Sequence, residues 1–228
     1  MHDTRPIWRR PSYLIGAAAA GLLLVFGMLA DEVIEGDTLN FDKAVLMSLR
    51  DSVDPATPIG PVWFQEAARD ITALGSFTVL GIIVCVVIGY LALAKRRVTA
   101  IYVAFAVLAG TAISTILKMV FDRPRPDLAA VSRVFTASFP SGHATISAVV
   151  YLTLGALLAA ASDHVRFRVF YIGIGIVLTL LIGLSRVYLG VHYPTDVIAG
   201  WSIGIAWSLL CGLGLRYWRS RYATMPVD

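Results

Sequence analysis

Charge and cysteine are both scarce in this chain of 228 residues. Asp, Glu, Lys and Arg together make up 15% of it, while hydrophobic residues make up 57%. A soluble domain is roughly 45–50% apolar. The excess, laid out in long runs with a mean hydropathy of +0.75, excludes an ordinary soluble globule and points to an integral membrane protein. The two cysteines, Cys85 and Cys211, both fall inside apolar runs. They read as packing residues and say nothing about redox compartment. Internal repeats and low-complexity segments are missing too. Net charge is +4, which in a soluble protein would raise nucleic acid as a partner. Here the basic residues sit at the ends of apolar runs, where they set membrane topology, so no nucleic-acid partner is implied.

Six runs are long enough to cross a bilayer as helices, which takes about 20 residues each. They lie near 12–30, 74–94, 98–120, 142–161, 168–188 and 195–215. The fold class is therefore all-α: an integral membrane bundle of six transmembrane helices in a single domain over 1–228, with a long non-cytoplasmic loop after the first span. The first run has a basic start, as a signal peptide would. Its apolar core exceeds the usual ~7–15 residues, and Met28 and Ala30 make a poor cleavage site, so an uncleaved span is the better reading.

Charge sets the orientation. Arg5, Arg9 and Arg10 precede the first span, and Lys95, Arg96 and Arg97 separate the second from the third. Arg166 and Arg168 separate the fourth from the fifth, and Arg216, Arg219 and Arg221 follow the sixth. All fall on one side, which the positive-inside rule makes the cytoplasm, with both termini there. The chain then reads as a bacterial inner-membrane protein. Arg123, Arg125 and Arg133, in the loop at 121–141, fall on the outer side and break the bias. Phosphate binding would explain them.

The 31–73 segment is too long for a plain connector. Leu39, Phe41, Val45, Leu46 and Leu49 recur at roughly helical spacing. They read as an amphipathic helix at the outer membrane surface, or as a small soluble cap helix. Pro55, Pro58 and Pro61 break the chain before Trp63 and Phe64, which are placed to anchor at the interface.

Three short segments hold most of the remaining chemistry: KMVFDRPRP from Lys118 to Pro126, PSGH from Pro140 to His143, and SRVYLGVHYPTD from Ser185 to Asp196. The six-span topology brings all of them to one membrane face, the outer one. The PSGH segment opens a helix with Ser141 as N-cap, and the first turn of a helix binds anions through unpaired N–H groups. Gly142 leaves room for a phosphate oxygen. Lys118, Arg125 and Arg186 would clamp the phosphate, Arg through planar paired donors and Lys as a point charge. The plain alternatives are a capped helix start and cations snorkelling to the interface. His192 and Asp196 are four apart, so the carboxylate can reach Nδ1 and leave Nε2 free as a nucleophile. His143 is the second imidazole, placed to protonate a leaving oxygen. A metal site made from the same histidines and aspartate is disfavoured by the surrounding cations. Gly200 and Gly204 continue the face of Asp196, and Gly110 and Ser114 that of Lys118, as small residues do where membrane helices pack closely.

The spacing KxxxxxxRP, PSGH, SRxxxxxHxxxD resembles the signature of the type 2 phosphatidic acid phosphatase family, whose site is shared with vanadium haloperoxidases. The resemblance covers about 98–215. It implies a metal-independent phosphatase without a cofactor. In it His192 forms a phosphohistidine with help from Asp196, and His143 acts as the acid and then activates water. Lys118, Arg125, Ser141, Gly142 and Arg186 would bind phosphate, and Asp122 receives no role. The implied partner is a phosphorylated lipid in the bilayer: undecaprenyl diphosphate slightly favoured, then phosphatidylglycerol phosphate, phosphatidic acid or lipid A phosphates. The rival readings are a vanadate-binding haloperoxidase-like enzyme, whose relatives are soluble, and a lipid transporter or flippase. The latter would need ionisable residues near mid-span.

Overall fold

The computed structural model describes residues 11–128 and 136–222, so Arg5, Arg9, Arg10 and Arg133 lie outside the described residues. Eight helices follow one another: α1 (Pro11–Glu35), α2 (Leu39–Ser48), α3 (Val62–Ala73), α4 (Phe77–Leu93), α5 (Arg97–Phe121), α6 (Gly142–Ala160), α7 (Val165–Tyr188) and α8 (Pro194–Tyr222). Among the described residues there is no strand, only an isolated bridge between Arg50 and Pro58. Helices α1, α5, α6, α7 and α8 are each long and apolar enough to span a membrane. Helix α4 has 17 residues and reaches the same length and apolarity only together with α3, to which it is joined by a 45° bend. Five single-helix spans are thus present, six if the bent pair counts as one, and α1 and α8 run several residues past their predicted ends.

Helices α1 and α8 open on Pro11 and Pro194, where a missing N–H costs nothing. Helix α5 stops at Asp122, which adopts a left-handed conformation (φ 39°) and returns its N–H to the Lys118 carbonyl. That C-cap is the part Asp122 plays. Helix α7 stops at Gly190, with φ 72°. A Cβ there would lie 2.8 Å from Nη2 of Arg50, which donates to the Tyr188 carbonyl at 2.6 Å. Glycine is required at this position on both counts.

Helix α6 is the most enclosed element and packs along α7 and α8, while α1 lies against α8. The α6–α8 seam is tight because α8 has no side chains there. A Cβ at Gly200 would lie 2.7 Å from the Ser141 carbonyl oxygen, and one at Gly204 would lie 2.5 Å from that of Thr145. Leu80, Val84, Val103, Ile146 and Val150 fill the space between α4, α5 and α6. Large residues such as Leu24, Met28, Val86, Leu108 and Val169 are about two-thirds exposed, which gives the bundle a greasy outer face suited to lipid. Cys211 is buried, as expected, but Cys85 is exposed on α4 and packs no core.

The 31–73 segment departs from its predicted form. Its first helix, α2, exists but does not present one apolar face to a membrane. Leu46 is buried against Ala144, Val187, Tyr193 and Val197, with Val45 and Leu49 beside it, while Leu39 and Phe41 are exposed. Asp42 on the same helix is completely buried. The cap reading therefore describes α2 better. The second helix, α3, has no counterpart in the sequence analysis; it starts directly after Pro61 and packs on α7.

Candidate active site

Four helix ends meet at one end of the bundle: the last turns of α5 and α7 and the first turns of α6 and α8. Asp196 is bonded on both of its oxygens there. It is fully buried, and its Oδ2 accepts from Tyr193 N at 2.9 Å and from Ser138 Oγ. Its Oδ1 accepts from Arg123 Nη1 at 2.7 Å. His192 Nδ1 stands 3.4 Å from Asp196 Oδ2 and 3.3 Å from Ser138 Oγ. The carboxylate therefore reaches the imidazole both directly, at long range, and through the serine hydroxyl.

The other face of the ring meets Arg125, whose Nη1 lies 3.1 Å from His192 Nε2. A guanidinium can only donate, so Nε2 must accept, and the ring proton sits on Nδ1 toward Asp196 and Ser138. Burial pushes the His192 pKa down to about 3, and the hydrogen bond and charge of Asp196 restore only part of the loss. A neutral ring whose Nε2 carries a lone pair and no proton is the nucleophilic form. Burial also lowers the pKa of Arg125, against the charge of Asp196. The Arg125 fork is held in place by Thr136 (carbonyl 2.9 Å, hydroxyl 3.2 Å) and by the Val191 carbonyl at 2.8 Å.

Two further cations close on the same space. Lys118 donates to the Ala137 carbonyl at 2.6 Å and lies close enough to Arg125, Asp196 and Arg186 to feel their charges. Arg186 donates to Thr72 Oγ1 on α3 at 3.2 Å. Its Nε is buried with no hydrogen-bond partner among the described residues, and so is the hydroxyl of Ser141. Ser141 is the N-cap of α6, as predicted, yet its side chain makes no capping bond. The Ser141 N–H instead donates to the Asp196 carbonyl at 2.9 Å, tying the two motif segments together. A Cβ on Gly142 would lie 3.4 Å from Cε of Lys118, so the glycine lets the lysine pass over the start of α6. His143 is half-buried within electrostatic reach of Arg186, His192, Arg125 and Lys118. All eight predicted site residues are thus brought together.

Three neighbours were absent from the sequence-based site. Ser138, two residues before the PSGH segment, bridges His192 and Asp196. Arg123 stood among the outer-side cations that phosphate binding would explain. It is instead buried, pairs with Asp196 and Asp42, and lies 4.4 Å over the Tyr193 ring. Burial works against its charge, but the two carboxylates outweigh that and raise its pKa. Asp42 itself lies far upstream of every motif. Among the described residues, no group of three or more His, Cys, Asp or Glu side chains converges as a metal site would require.

The profile of the PAP2 superfamily matches residues 99–220, slightly more than half of the chain and all three motif segments. The chain belongs to the PAP2 superfamily. This PAP2 chain is a phosphatase, and an integral membrane protein by its helices. It is 29% identical over 189 residues to phosphatidylglycerophosphatase B of Bacillus subtilis, a match that covers 81% of this chain and 88% of that protein. It is 37% identical over 123 residues to a lipid A 1-phosphatase of Rhizobium johnstonii, covering 49% and 46% respectively. Among solved structures, a transmembrane PAP2-type phosphatidylglycerolphosphate phosphatase from Bacillus subtilis superposes with a TM-score of 0.77 at 27% identity, covering 90% of this chain and 98% of that one.

Proposed function

We propose that this PAP2 chain hydrolyses the phosphate of a membrane lipid at the outer face of the bilayer, through a phosphohistidine on His192. The observation that carries the reading is the 3.1 Å approach of Arg125 to His192 Nε2. A fixed cation held against a lone pair marks where an anion is to be drawn onto a nucleophile. Lys118, Arg186, Ser141 and the first N–H groups of α6 complete the clamp, and they stabilise the charge that spreads over the equatorial oxygens in phosphoryl transfer. His192 Nε2 forms a bond to phosphorus as the bond from phosphorus to the lipid oxygen breaks. His143 gives that oxygen a proton. Asp196, with Ser138, stabilises the positive imidazole ring. His143 then takes a proton from a water, which attacks the phosphohistidine and releases inorganic phosphate. Every one of these steps uses groups of the protein and water alone.

The lipid assignment is supported by the greasy flanks of the bundle and by relatives whose names place phosphatidylglycerophosphate and lipid A among their substrates. Undecaprenyl diphosphate and phosphatidic acid complete the panel on which preference should be measured. The outer-face assignment is supported by the exposed Arg96, Arg97, Arg166, Arg168 and Arg219 at the opposite end. An impermeant maleimide should label a cysteine at Asp51 in intact spheroplasts and one at Asp163 only after lysis, in a Cys85→Ala, Cys211→Ala background. The reverse pattern would move the site to the cytoplasmic leaflet.

The chemical test is direct. Purified protein given lipid labelled with ³²P in the phosphate should retain acid-labile, base-stable label, and His192→Ala should retain none and turn over nothing. Label that persists on the variant would rule out His192 as the nucleophile.

A further inference from the structure

Asp42 is the one fully buried carboxylate, besides Asp196, among the described residues, and it comes from α2, outside the matched family segment. Both of its oxygens are bonded. Oδ1 accepts from Thr195 N at 3.1 Å; Oδ2 accepts from Thr195 Oγ1 at 2.6 Å and from Arg123 Nη2 at 2.7 Å. Three donors, one of them cationic, converge on this one side chain. Arg123 thus stands between two anions, with Nη2 on Asp42 and Nη1 on Asp196. Thr38 Oγ1 and the Tyr193 ring help to keep its plane fixed.

The charges can be counted along this chain. Asp42, Arg123 and Asp196 together carry one net negative charge beside His192. Without Asp42 the sum is zero, and the whole guanidinium charge falls on the carboxylate that must stabilise the imidazolium. On the other side of the ring Lys118, Arg125 and Arg186 already oppose positive charge there. We propose that Asp42 is a positioning residue for the reaction. By sharing Arg123, it keeps Asp196 aimed at His192 and anionic in effect, and this makes the α2 cap part of the catalytic apparatus. The proposal rests on the His192–Asp196 reading above.

A purely structural staple between α2 and α8 would use the same bonds, so the test must separate the two. Asp42→Asn keeps the shape and removes the charge. Its kcat and its rate of phosphohistidine formation should fall about 10- to 100-fold, as when an outer partner of a catalytic group is lost. KM and the inhibition constant of inorganic phosphate should stay within about twofold, because the clamp is untouched. In an Asp196→Asn background the same substitution should cost nothing further, since its effect passes through Asp196. Arg123→Lys, which breaks the two-ended fork, should reproduce the kcat loss and decides the matter if Asp42→Asn does not fold. A wild-type kcat in both variants would overturn the proposal. So would an equal loss in both backgrounds, or a phosphate constant that rises in step with the loss of rate. If His192→Ala loses its label while Asp42→Asn keeps full rate, the phosphatase reading stands and this one alone fails.

Discussion

The two ends of this bundle use the same residue type in opposite ways. At one end Arg96, Arg97, Arg166, Arg168, Arg216, Arg219 and Arg221 are all exposed, and the hydrogen bond from Arg219 to Thr99 is long, at 3.5 Å. At the other, Arg50, Arg123 and Arg186 are each at most 9% exposed; their terminal nitrogens meet named carbonyls, hydroxyls and carboxylates, while Nε of Arg50 and of Arg186 meets none among the described residues. Exposed arginines anchor a helix end in water and headgroups. Buried ones have lost hydration, which no fold sustains without partners for the charge. An arginine in a membrane protein is thus a topology signal or a chemical group according to whether packing has aimed it, and its place in the sequence does not say which.

The largest expected effect tests that contrast. Lys118→Ala, Arg125→Ala and Arg186→Ala should each lower kcat/KM by about 10²–10³, the usual loss when one preorganised donor to a transition-state anion is removed. Each should also weaken inhibition by orthovanadate, a mimic of the transferring phosphoryl group. Arg96→Ala, Arg97→Ala and Arg219→Ala should leave kcat/KM within about twofold, as expected of exposed charges. Steady-state assays with excess EDTA check both arms. Comparable losses at the two ends would erase the distinction.

Much of this was legible beforehand. Length and hydropathy give the spans, alternation gives the sides, and Lys118, His143, Arg186, His192 and Asp196 fall at helix ends where the motifs place them. What was hidden depends on contacts remote in sequence. Asp42 is 81 residues from Arg123 and 153 from Thr195. In its own segment it looks like a polar break in an amphipathic pattern. The inward turn of Arg123 is set by the left-handed Asp122, a conformation that a lone Asp does not announce. Ser138 had a faint signal in its place just before PSGH, but a serine in a loop has many ordinary uses.

Glycines repeat the contrast along a single helix. A Cβ at Gly204 would press on the Thr145 carbonyl, whereas Gly212 and Gly214, further along α8, have nothing within 4 Å. Gly204→Val should cost about 1–3 kcal/mol as an overpacked contact. It should also disturb turnover, because the same seam carries the bond from Ser141 N to the Asp196 carbonyl. Gly214→Val should be close to neutral. Thermal unfolding in detergent, with activity before heating, compares the pair. Equal melting temperatures would show that the seam can relax.

A smaller effect follows from the buried imidazole. Burial holds the His192 pKa at about 3, while the unfolded ring titrates near 6.5. Its folded value is depressed, so the unfolded state takes up protons first. Stability is full above about pH 6.5 and declines as pH falls toward 3. At pH 5 the loss from this group is on the order of 2 kcal/mol. His192→Gln, which carries no titrating group, should show a shallower fall in melting temperature between pH 7 and 5. Parallel curves would mean that water reaches the ring.

The smallest effect should separate function from stability at one atom. Ser141 is fully buried, and its hydroxyl makes no bond among the described residues, not even the side-chain capping bond its N-cap position on α6 would allow. An unsatisfied buried polar group costs about 1–3 kcal/mol. Ser141→Ala should therefore leave the melting temperature unchanged or raise it by a few degrees, where loss of an ordinary N-cap would lower stability by about 1 kcal/mol. The same variant should lose about fivefold to tenfold in kcat/KM and in phosphate affinity, since one neutral donor to the anion is gone. The exposed Ser220 at the other end gives the control: Ser220→Ala breaks a 2.8 Å bond to the Tyr217 carbonyl and should affect neither property. A Ser141→Ala protein that melts lower but keeps its kinetics would make Ser141 a helix-start residue and no part of the clamp.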